Sequence, residues 1–260
     1  MFNQENYRAI RVEKRDNGVV IATLNRPEKR NAVDDTMHEE LARLPTDTDD
    51  DPEAKVLVIT GAGRGFCAGG DFSGGLTPNA HMFRVAHRLV DSLLDCSKPV
   101  ITAVNGHAMG LGATLALLGD VVIAARSAQF ADTHARMGIA AGDGGQVIWP
   151  LLLGVNRAKY YLMTGERLSA EEAERLGLVT FVVEDDQLMD RALTVADRLA
   201  AGAGLAIAAS KVPINRYIKM VANVVLPLSL KLEEWTMQTD DFREAVIAFA
   251  EKRQPKFTGT

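Results

Sequence analysis

The chain has 260 residues, of which 47% are hydrophobic and 24% are charged, and this ordinary globular composition argues against a disordered chain or a coiled coil. Its length allows one large domain or two smaller ones, with a core that needs no disulfide support. A net charge of −5 argues against a nucleic acid partner, which needs clustered positive charge. Two cysteines cannot form a disulfide framework, so we expect a reducing, cytoplasmic location.

No membrane or export segment is indicated by the sequence. Residues 1–10 lack the basic start and apolar run of a secretory signal. The most apolar stretch, residues 100–125, contains Asn105, His107 and Asp120. A lipid-spanning helix tolerates such side chains poorly, so we expect no membrane partner.

The first half of the chain alternates β-branched runs with helical patterns. Strands are predicted over residues 19–24, 55–60, 100–104 and 121–125. Helices are predicted over residues 34–44 (stopped by Pro45), 79–94 and 112–118. Apolar strands separated by helices indicate parallel pairing in a sheet that is buried on both faces.

The pattern becomes mainly helical from about residue 169. Ser169 and Glu172 form a capping box, and a short strand over residues 179–183 precedes a helix over residues 188–201. Beyond residue 203 the pattern is helical, with breaks predicted at Pro213 and Pro227. We therefore predict an α/β body over residues 1–200 and a helical region over residues 201–260.

Several common active sites have no signature in this chain. A phosphate-binding P-loop, a Gly-x-Ser-x-Gly elbow, a His-Glu-x-x-His pair and a zinc-spaced cysteine pair are all absent from the sequence. We therefore predict no metal and no motif-marked nucleophile, which leaves a site built from backbone amides.

Three glycine-rich segments follow predicted strands, at residues 65–71, 105–112 and 138–145. Such turns can point N–H groups into a cleft, and two of these groups can bind one oxygen that gains negative charge. The alternative is that the glycines only permit tight turns.

Four segments in order, at residues 25–32, 66–71, 98–106 and 162–165, resemble the enoyl-CoA hydratase/isomerase (crotonase) family. The likeness extends from near residue 10 to Phe257. It implies an α/β fold, with a crotonase-like spiral core of ββα turns and a C-terminal helical trimerisation region. It also implies a homotrimer or a hexamer built as a dimer of trimers, and an acyl-CoA substrate. Coenzyme A is then part of the substrate, with no separate cofactor.

The resemblance assigns binding roles to particular residues. The N–H groups of Gly70 and Leu111 form the oxyanion hole, although many relatives have glycine in place of Leu111. Ala68 and Asp71, close to Gly70, are predicted to contact the substrate. Residues 72–88, the stretch that is least like the family, are predicted to form the acyl pocket wall.

Three basic residues are predicted to contact the coenzyme A moiety. Lys29 and Arg30 follow Pro27, and Lys252 is expected to reach a phosphate of coenzyme A bound to a neighbouring subunit. As isolated residues, Lys29 and Lys252 are typical of solvated surface charges.

The sequence departs from the family at both glutamates that hydratases use as acid and base. Thr114 and His134 occupy these positions, and Thr114 is expected to line the pocket without reacting. His134 and Asp143, nine positions apart, suggest a proton-transferring pair. The segment that contains them resembles a branch of the family that includes 6-oxocamphor hydrolase. That branch has a further histidine at the position of Leu111, so the match is incomplete. His38, His81 and His87 are expected to be exposed.

Three functions remain open at this point. The first is an enoyl-CoA hydratase-like enzyme with Gly70 and Leu111 as amide donors and His134 and Asp143 handling the proton. The second is a hydrolase that cleaves a carbon–carbon bond of a β-keto acyl-CoA or β-diketone. The third is a non-catalytic protein that binds coenzyme A.

Overall fold

Two β-sheets form the frame of the chain, of which the computed structural model describes residues 4–72 and 78–260. The described strands are β1 (Ile10–Lys14), β2 (Val19–Leu24), β3 (Val56–Gly61), β4 (Gly65–Cys67), β5 (Val100–Val104), β6 (His107–Met109), β7 (Val121–Ala125), β8 (Gln129–Ala131), β9 (Leu168–Ser169) and β10 (Phe181–Val183). One sheet has the order β1-β2-β3-β5-β7-β10, and the other has the order β4-β6-β8-β9. All neighbours pair in parallel except β1 with β2 and β8 with β9.

Helices surround the two sheets. Within the described residues they are α1 (Asp35–Asp50), α2 (Ala80–Asp95), α3 (Leu111–Leu117), α4 (Gly145–Leu153), α5 (Val155–Thr164), α6 (Ala170–Leu176), α7 (Leu188–Ala200), α8 (Gly204–Thr236) and α9 (Asp240–Glu251). Among the 3-10 turns of the described residues, His134–Met137 follows β8 and Asp185–Gln187 precedes α7. The predicted helical character after residue 203 is confirmed by α8 and α9.

The larger sheet is buried on both faces, as its continuous apolar strands predicted. Along β3, Val56 and Val58 pack in a cluster with α7, while Leu57 and Ile59 pack in the larger core that contains residues of α1 and α2. Successive side chains of a strand point to opposite faces, so both sides of the sheet need apolar residues.

The smaller sheet brings the predicted site residues together, although the sequence analysis did not predict its strands. β4, β6 and β8 pair in parallel, so their carboxyl ends lie along one edge. Gly70, Leu111 and His134 each follow one of these strands by two or three residues. Segments that are distant in the chain therefore reach one place in the fold.

One predicted helix end and two predicted helix breaks are wrong, and all three involve proline. Helix α1 continues through Pro45 to Asp50, and α8 continues through Pro213 and Pro227 to Thr236. A proline inside a helix removes one hydrogen bond and costs about 3 kcal/mol. In α1 the buried apolar face, which includes Met37 and Leu41, offsets that cost.

Two further findings concern the start of a predicted strand and the length and hydrophobicity of the helices. The strand predicted over residues 179–183 begins only at Phe181. Among the described residues no single helix is long and apolar enough to cross a membrane, whereas Asp185–Ala200 with Gly204–Thr236 passes by length and composition as a pair bent by 109°.

Candidate active site

A cavity of about 330 Å³ lies at the edge of the smaller sheet where β4, β6 and β8 end. Its lining includes four of the predicted site residues, namely Gly70, Leu111, His134 and Asp143. Apolar side chains line much of the rest, among them Met82, Phe83, Ala86, Met137, Ile139 and Met237. The cavity can therefore hold an apolar group close to a few polar ones.

Gly70 and Leu111 contribute backbone N–H groups beside this cavity. Leu111 is the first residue of α3, where N–H groups have no partner within the helix, and the helix dipole adds positive potential. Among the backbone hydrogen bonds of residues 4–72 and 78–260, neither the Gly70 nor the Leu111 N–H serves as a donor. Both donors are available to an oxygen that enters the cavity.

The turn before α3 depends on a glycine. Gly110 has φ +53°, a left-handed conformation that residues with a side chain rarely adopt. A Cβ at this position would lie 3.3 Å from Cε1 of His134. Gly110 therefore allows both the chain reversal before Leu111 and the close approach of His134.

His134 lies between two carboxylates. Its Nδ1 is 2.6 Å from Oδ1 of Asp132, and its Nε2 is 3.2 Å from Oδ2 of Asp143. The Thr114 hydroxyl donates to Oδ1 of Asp143 at 3.2 Å. All four residues are buried, so these contacts form in a region shielded from water.

A third carboxyl group, from the far end of the chain, completes this cluster. Glu233 near the end of α8 lines the cavity, and its Oε1 is 4.0 Å from Nε2 of His134. One ligand atom each of His134, Asp143 and Glu233 lies within 4.8 Å of the others, a spacing that could also hold a metal ion.

The charges of the cluster follow from its contacts. Burial disfavours a charged His134, but the negative charges of Asp132 and Asp143 outweigh it and raise the pKa of His134 well above its ordinary value. Burial likewise opposes ionisation of Asp143, yet the His134 charge and hydrogen bonds from His134 and Thr114 lower the pKa of Asp143. Burial and the charge of Asp143 raise the pKa of Glu233 to about 8. At neutral pH, His134 is thus an imidazolium and Asp143 a carboxylate, and both lie beside a protonated Glu233.

Comparisons with known proteins find relatives along nearly the whole chain. A profile of the family described as enoyl-CoA hydratase/isomerase matches residues 14–260. Over 252 residues the chain is 40% identical to 1,2-epoxyphenylacetyl-CoA isomerase of Escherichia coli, which covers 94% of this chain and 96% of that protein. It is 38% identical over 248 residues to carnitinyl-CoA dehydratase of Proteus mirabilis, with coverage of 91% and 93%.

The fold is similar to solved structures as well. An enoyl-CoA hydratase from Mycobacterium avium subsp. paratuberculosis superposes with a TM-score of 0.91 at 30% identity, covering 97% of this chain and 99% of that one. An enoyl-CoA hydratase/isomerase from Mycobacterium paratuberculosis gives a TM-score of 0.88 at 38% identity, with coverage of 92% and 97%. The chain belongs to the enoyl-CoA hydratase/isomerase family.

Membership in the enoyl-CoA hydratase/isomerase family confirms the predicted fold class, an α/β crotonase-like fold, and the prediction of an enzyme. Of the predicted substrate contacts, Ala68 and Asp71 line the cavity. From the predicted pocket wall, Phe72, Met82, Phe83 and Ala86 line it too, while residues 73–77 lie outside the described residues.

Thr114 does not line the cavity, contrary to the expectation from sequence. Its side chain is fully buried in α3 and acts on the cavity through its hydrogen bond to Asp143. The hydroxyl at this position holds the Asp143 carboxylate in place.

Lys29, Arg30 and Lys252 are exposed and lie outside the cavity lining. The Arg30 carbonyl accepts a hydrogen bond from Ala68 N at 3.1 Å, so the turn that carries Lys29 and Arg30 adjoins the segment that leads to Gly70. Lys252 ends α9 with φ +57°. Their predicted contacts with coenzyme A stay predictions.

The sequence analysis missed three residues of the site. His38, expected to be exposed, is buried and lines the cavity, where burial lowers its pKa. Asp132 lies two residues before His134, and this short spacing could have indicated that the two side chains interact. Glu233 had none, because 90 residues separate it from Asp143.

Proposed function

We propose that the enzyme acts on an acyl-CoA thioester as an enoyl-CoA hydratase-like catalyst. The thioester oxygen would accept hydrogen bonds from the Gly70 and Leu111 N–H groups, which stabilise the enolate that forms when the double bond is attacked or a proton is removed. The relatives named as an isomerase and a dehydratase of CoA esters support this substrate class.

Proton transfer is assigned to the His134 and Asp143 pair. The observation that carries the proposal is the 3.2 Å contact between His134 Nε2 and Asp143 Oδ2 within the cavity that Gly70 and Leu111 also line. Since the contacts favour a charged His134, the carboxylate of Asp143 is the group that accepts a proton at neutral pH.

The test is turnover of a panel of trans-2-enoyl-CoA and 3-oxoacyl-CoA esters, with products identified by mass spectrometry. We expect addition of water to an enoyl-CoA, and a loss of kcat of about 10²–10⁴-fold in Asp143→Asn. Asp186→Asn, on an exposed 3-10 turn, is the control and should keep the wild-type rate. No turnover of any ester by the wild type, or an active Asp143→Asn, would contradict the proposal.

Carbon–carbon bond hydrolysis is the second candidate. It is favoured by one observation, the alignment of Asp132, His134 and Asp143, which could activate water against a β-keto group. The same product analysis separates the two candidates, because cleavage gives two fragments from a 3-oxoacyl-CoA whereas hydration keeps the acyl chain intact.

We assign Lys29, Arg30 and Lys252 to the coenzyme A moiety, and we expect a homotrimer or a hexamer. Large apolar side chains of α8 face solvent in the isolated chain, with Leu205, Met220 and Val224 exposed by 91%, 66% and 77%. Exposed apolar area of this kind favours burial against another subunit. Light scattering should give a mass of three or six chains, and a monomer would contradict this assignment.

A further inference from the structure

The buried cluster around His134 holds more carboxyl groups than its positive charge can balance. Asp132, Asp143 and Glu233 surround a single imidazole, and each residue of the cluster is at most 8% exposed. Oε2 of Glu233 and Oδ2 of Asp132 have no hydrogen-bond partner within the described residues. Uncompensated buried charge is costly, so one of the carboxyl groups must take up a proton.

We propose that Glu233 is the acid of a two-carboxyl pair in which Asp143 is the base. This inference rests on the proposed function and deepens it, because the pair replaces the two glutamates that are absent at Thr114 and His134. Asp143 reaches the cavity from the loop before α4, and Glu233 reaches it from α8. Their carboxyl oxygens approach within 4.8 Å of each other.

Helix α8 is held so that Glu233 reaches the cluster. Gly142 has no side chain, and a Cβ there would lie 2.5 Å from Cβ of Glu233 and 2.6 Å from the Ser229 carbonyl. One turn before Glu233, the Ser229 hydroxyl donates to Oε1 of Gln146 at 2.8 Å. One turn after it, the Thr236 hydroxyl accepts from Ala140 N at 2.9 Å. These contacts on both sides fix the carboxyl group against the loop that carries Asp143.

The surrounding charges assign different protonation states to the two carboxyl groups. Asp143 accepts hydrogen bonds from His134 and Thr114, which favour its ionised form. Within the part of the chain that the structure describes, Oε2 of Glu233 has no such donor, and the carboxyl group faces the negative charges of Asp143 and Asp132. Burial lowers the pKa of His38 on α1, which favours its neutral form. The pair is thus one acid and one base, the state that proton exchange with a substrate needs.

The proposed step balances atoms and charge. Asp143 accepts one proton of a water molecule while the water oxygen bonds to C3 of the enoyl group. The π electrons move to form the enolate held by the Gly70 and Leu111 N–H groups, and Glu233 then donates its proton to C2. Nε2 of His134 lies 3.2 Å from Asp143 and 4.0 Å from Glu233. After each turnover, His134 can therefore return the proton from Asp143 to Glu233, which restores the starting state.

The test compares Glu233→Gln with Glu234→Gln, its partly exposed neighbour that pairs with Lys231. With an enoyl-CoA that the wild type hydrates, Glu233→Gln should lose about 10²–10⁴-fold in kcat and change KM by less than about threefold. Glu234→Gln should match the wild type. The wild-type rate should fall above pH 8, and this alkaline limb should be absent from the residual rate of Glu233→Gln.

A folded Glu233→Gln that keeps the wild-type kcat, or the same alkaline limb, would overturn the inference. An inactive Asp143→Asn beside a fully active Glu233→Gln would remove this inference alone and leave the proposed function standing. Dialysis against a chelator should leave the rate unchanged, and a loss that zinc restores would overturn the assignment of a proton to Glu233.

Discussion

Gly70 and Leu111 contribute main-chain N–H groups to the cavity, whereas His134, Asp143 and Glu233 contribute ionisable side chains. The amide pair, Gly70 and Leu111, depends on two local turns after short strands. The acid–base cluster, His134, Asp143 and Glu233, depends on three segments that only the tertiary fold brings together. We therefore expect the amide pair to tolerate a change of side chain at Leu111, and the acid–base cluster to be sensitive to changes in charge or packing.

Gly110→Ala should have the largest effect, because it affects both the amide pair and the acid–base cluster. The new Cβ would strain a residue with φ +53° and press against His134 at 3.3 Å. We expect kcat/KM to fall by about 10³-fold or more, since both the amide donors and the acid–base groups move. Gly204→Ala, whose Cβ would meet nothing within 4 Å, is the matched control. A Gly110→Ala enzyme within tenfold of wild type would refute the shared role of this turn.

Asp132→Asn should have the next largest effect, confined to the acid–base cluster. Removing the carboxylate 2.6 Å from Nδ1 should lower the pKa of His134 and weaken its hold on Asp143. We expect kcat to fall by about 10²-fold. An NMR titration of the His134 ring measures the shift directly, and an unchanged pKa would contradict the charge assignment.

Glu233→Gln should change how stability depends on pH. The pKa of Glu233 rises from its ordinary 4.5 to about 8 in the fold, so the folded state holds this proton more tightly than the unfolded chain. The stability linked to it is complete below pH 4.5 and is lost as pH rises through 8. Urea unfolding should show the wild type losing on the order of a few kcal/mol relative to the variant between pH 5 and 9. Parallel curves for the two proteins would exclude a buried, protonated Glu233.

Leu111→Ala should have the smallest effect on catalysis. The N–H group remains in place, so kcat should stay within about fivefold, although truncation of this buried side chain should cost about 2–3 kcal/mol of stability. Leu115→Ala, in the same helix but outside the cavity lining, should cost a similar amount. A hundredfold loss of kcat only in Leu111→Ala would mean that the side chain, and not the N–H group, acts on the substrate.

The difference between local turns and a cluster formed by distant segments also explains how much could be predicted from the sequence. Strands such as β3 and β5, the amide pair and the position of His134 follow from local patterns and from motifs. The extension of α1 through Pro45 depends on packing of its buried face, which the residue itself does not reveal. Local patterns predict turns well because their determinants are neighbours in the chain.

The rest of the cavity required the tertiary fold. His38 lies on a helix whose polar pattern indicates exposure, yet its side chain faces the cavity. Glu233 is one charged residue among several on α8, and it differs from Glu234 in being buried in the cavity lining beside His134 and Gly142. Its role comes from a burial and a neighbouring charge that lie far away in sequence, so a one-dimensional pattern could not have identified it.

A crystal structure with a non-reactive acyl-CoA, such as butyryl-CoA, tests the central claim most directly. The thioester oxygen should lie about 2.7–3.1 Å from the N atoms of both Gly70 and Leu111, with C2 and C3 beside Asp143 and Glu233. A thioester bound in the cavity with its oxygen away from both N–H groups, or with its reacting carbons away from the two carboxyl groups, would contradict the account.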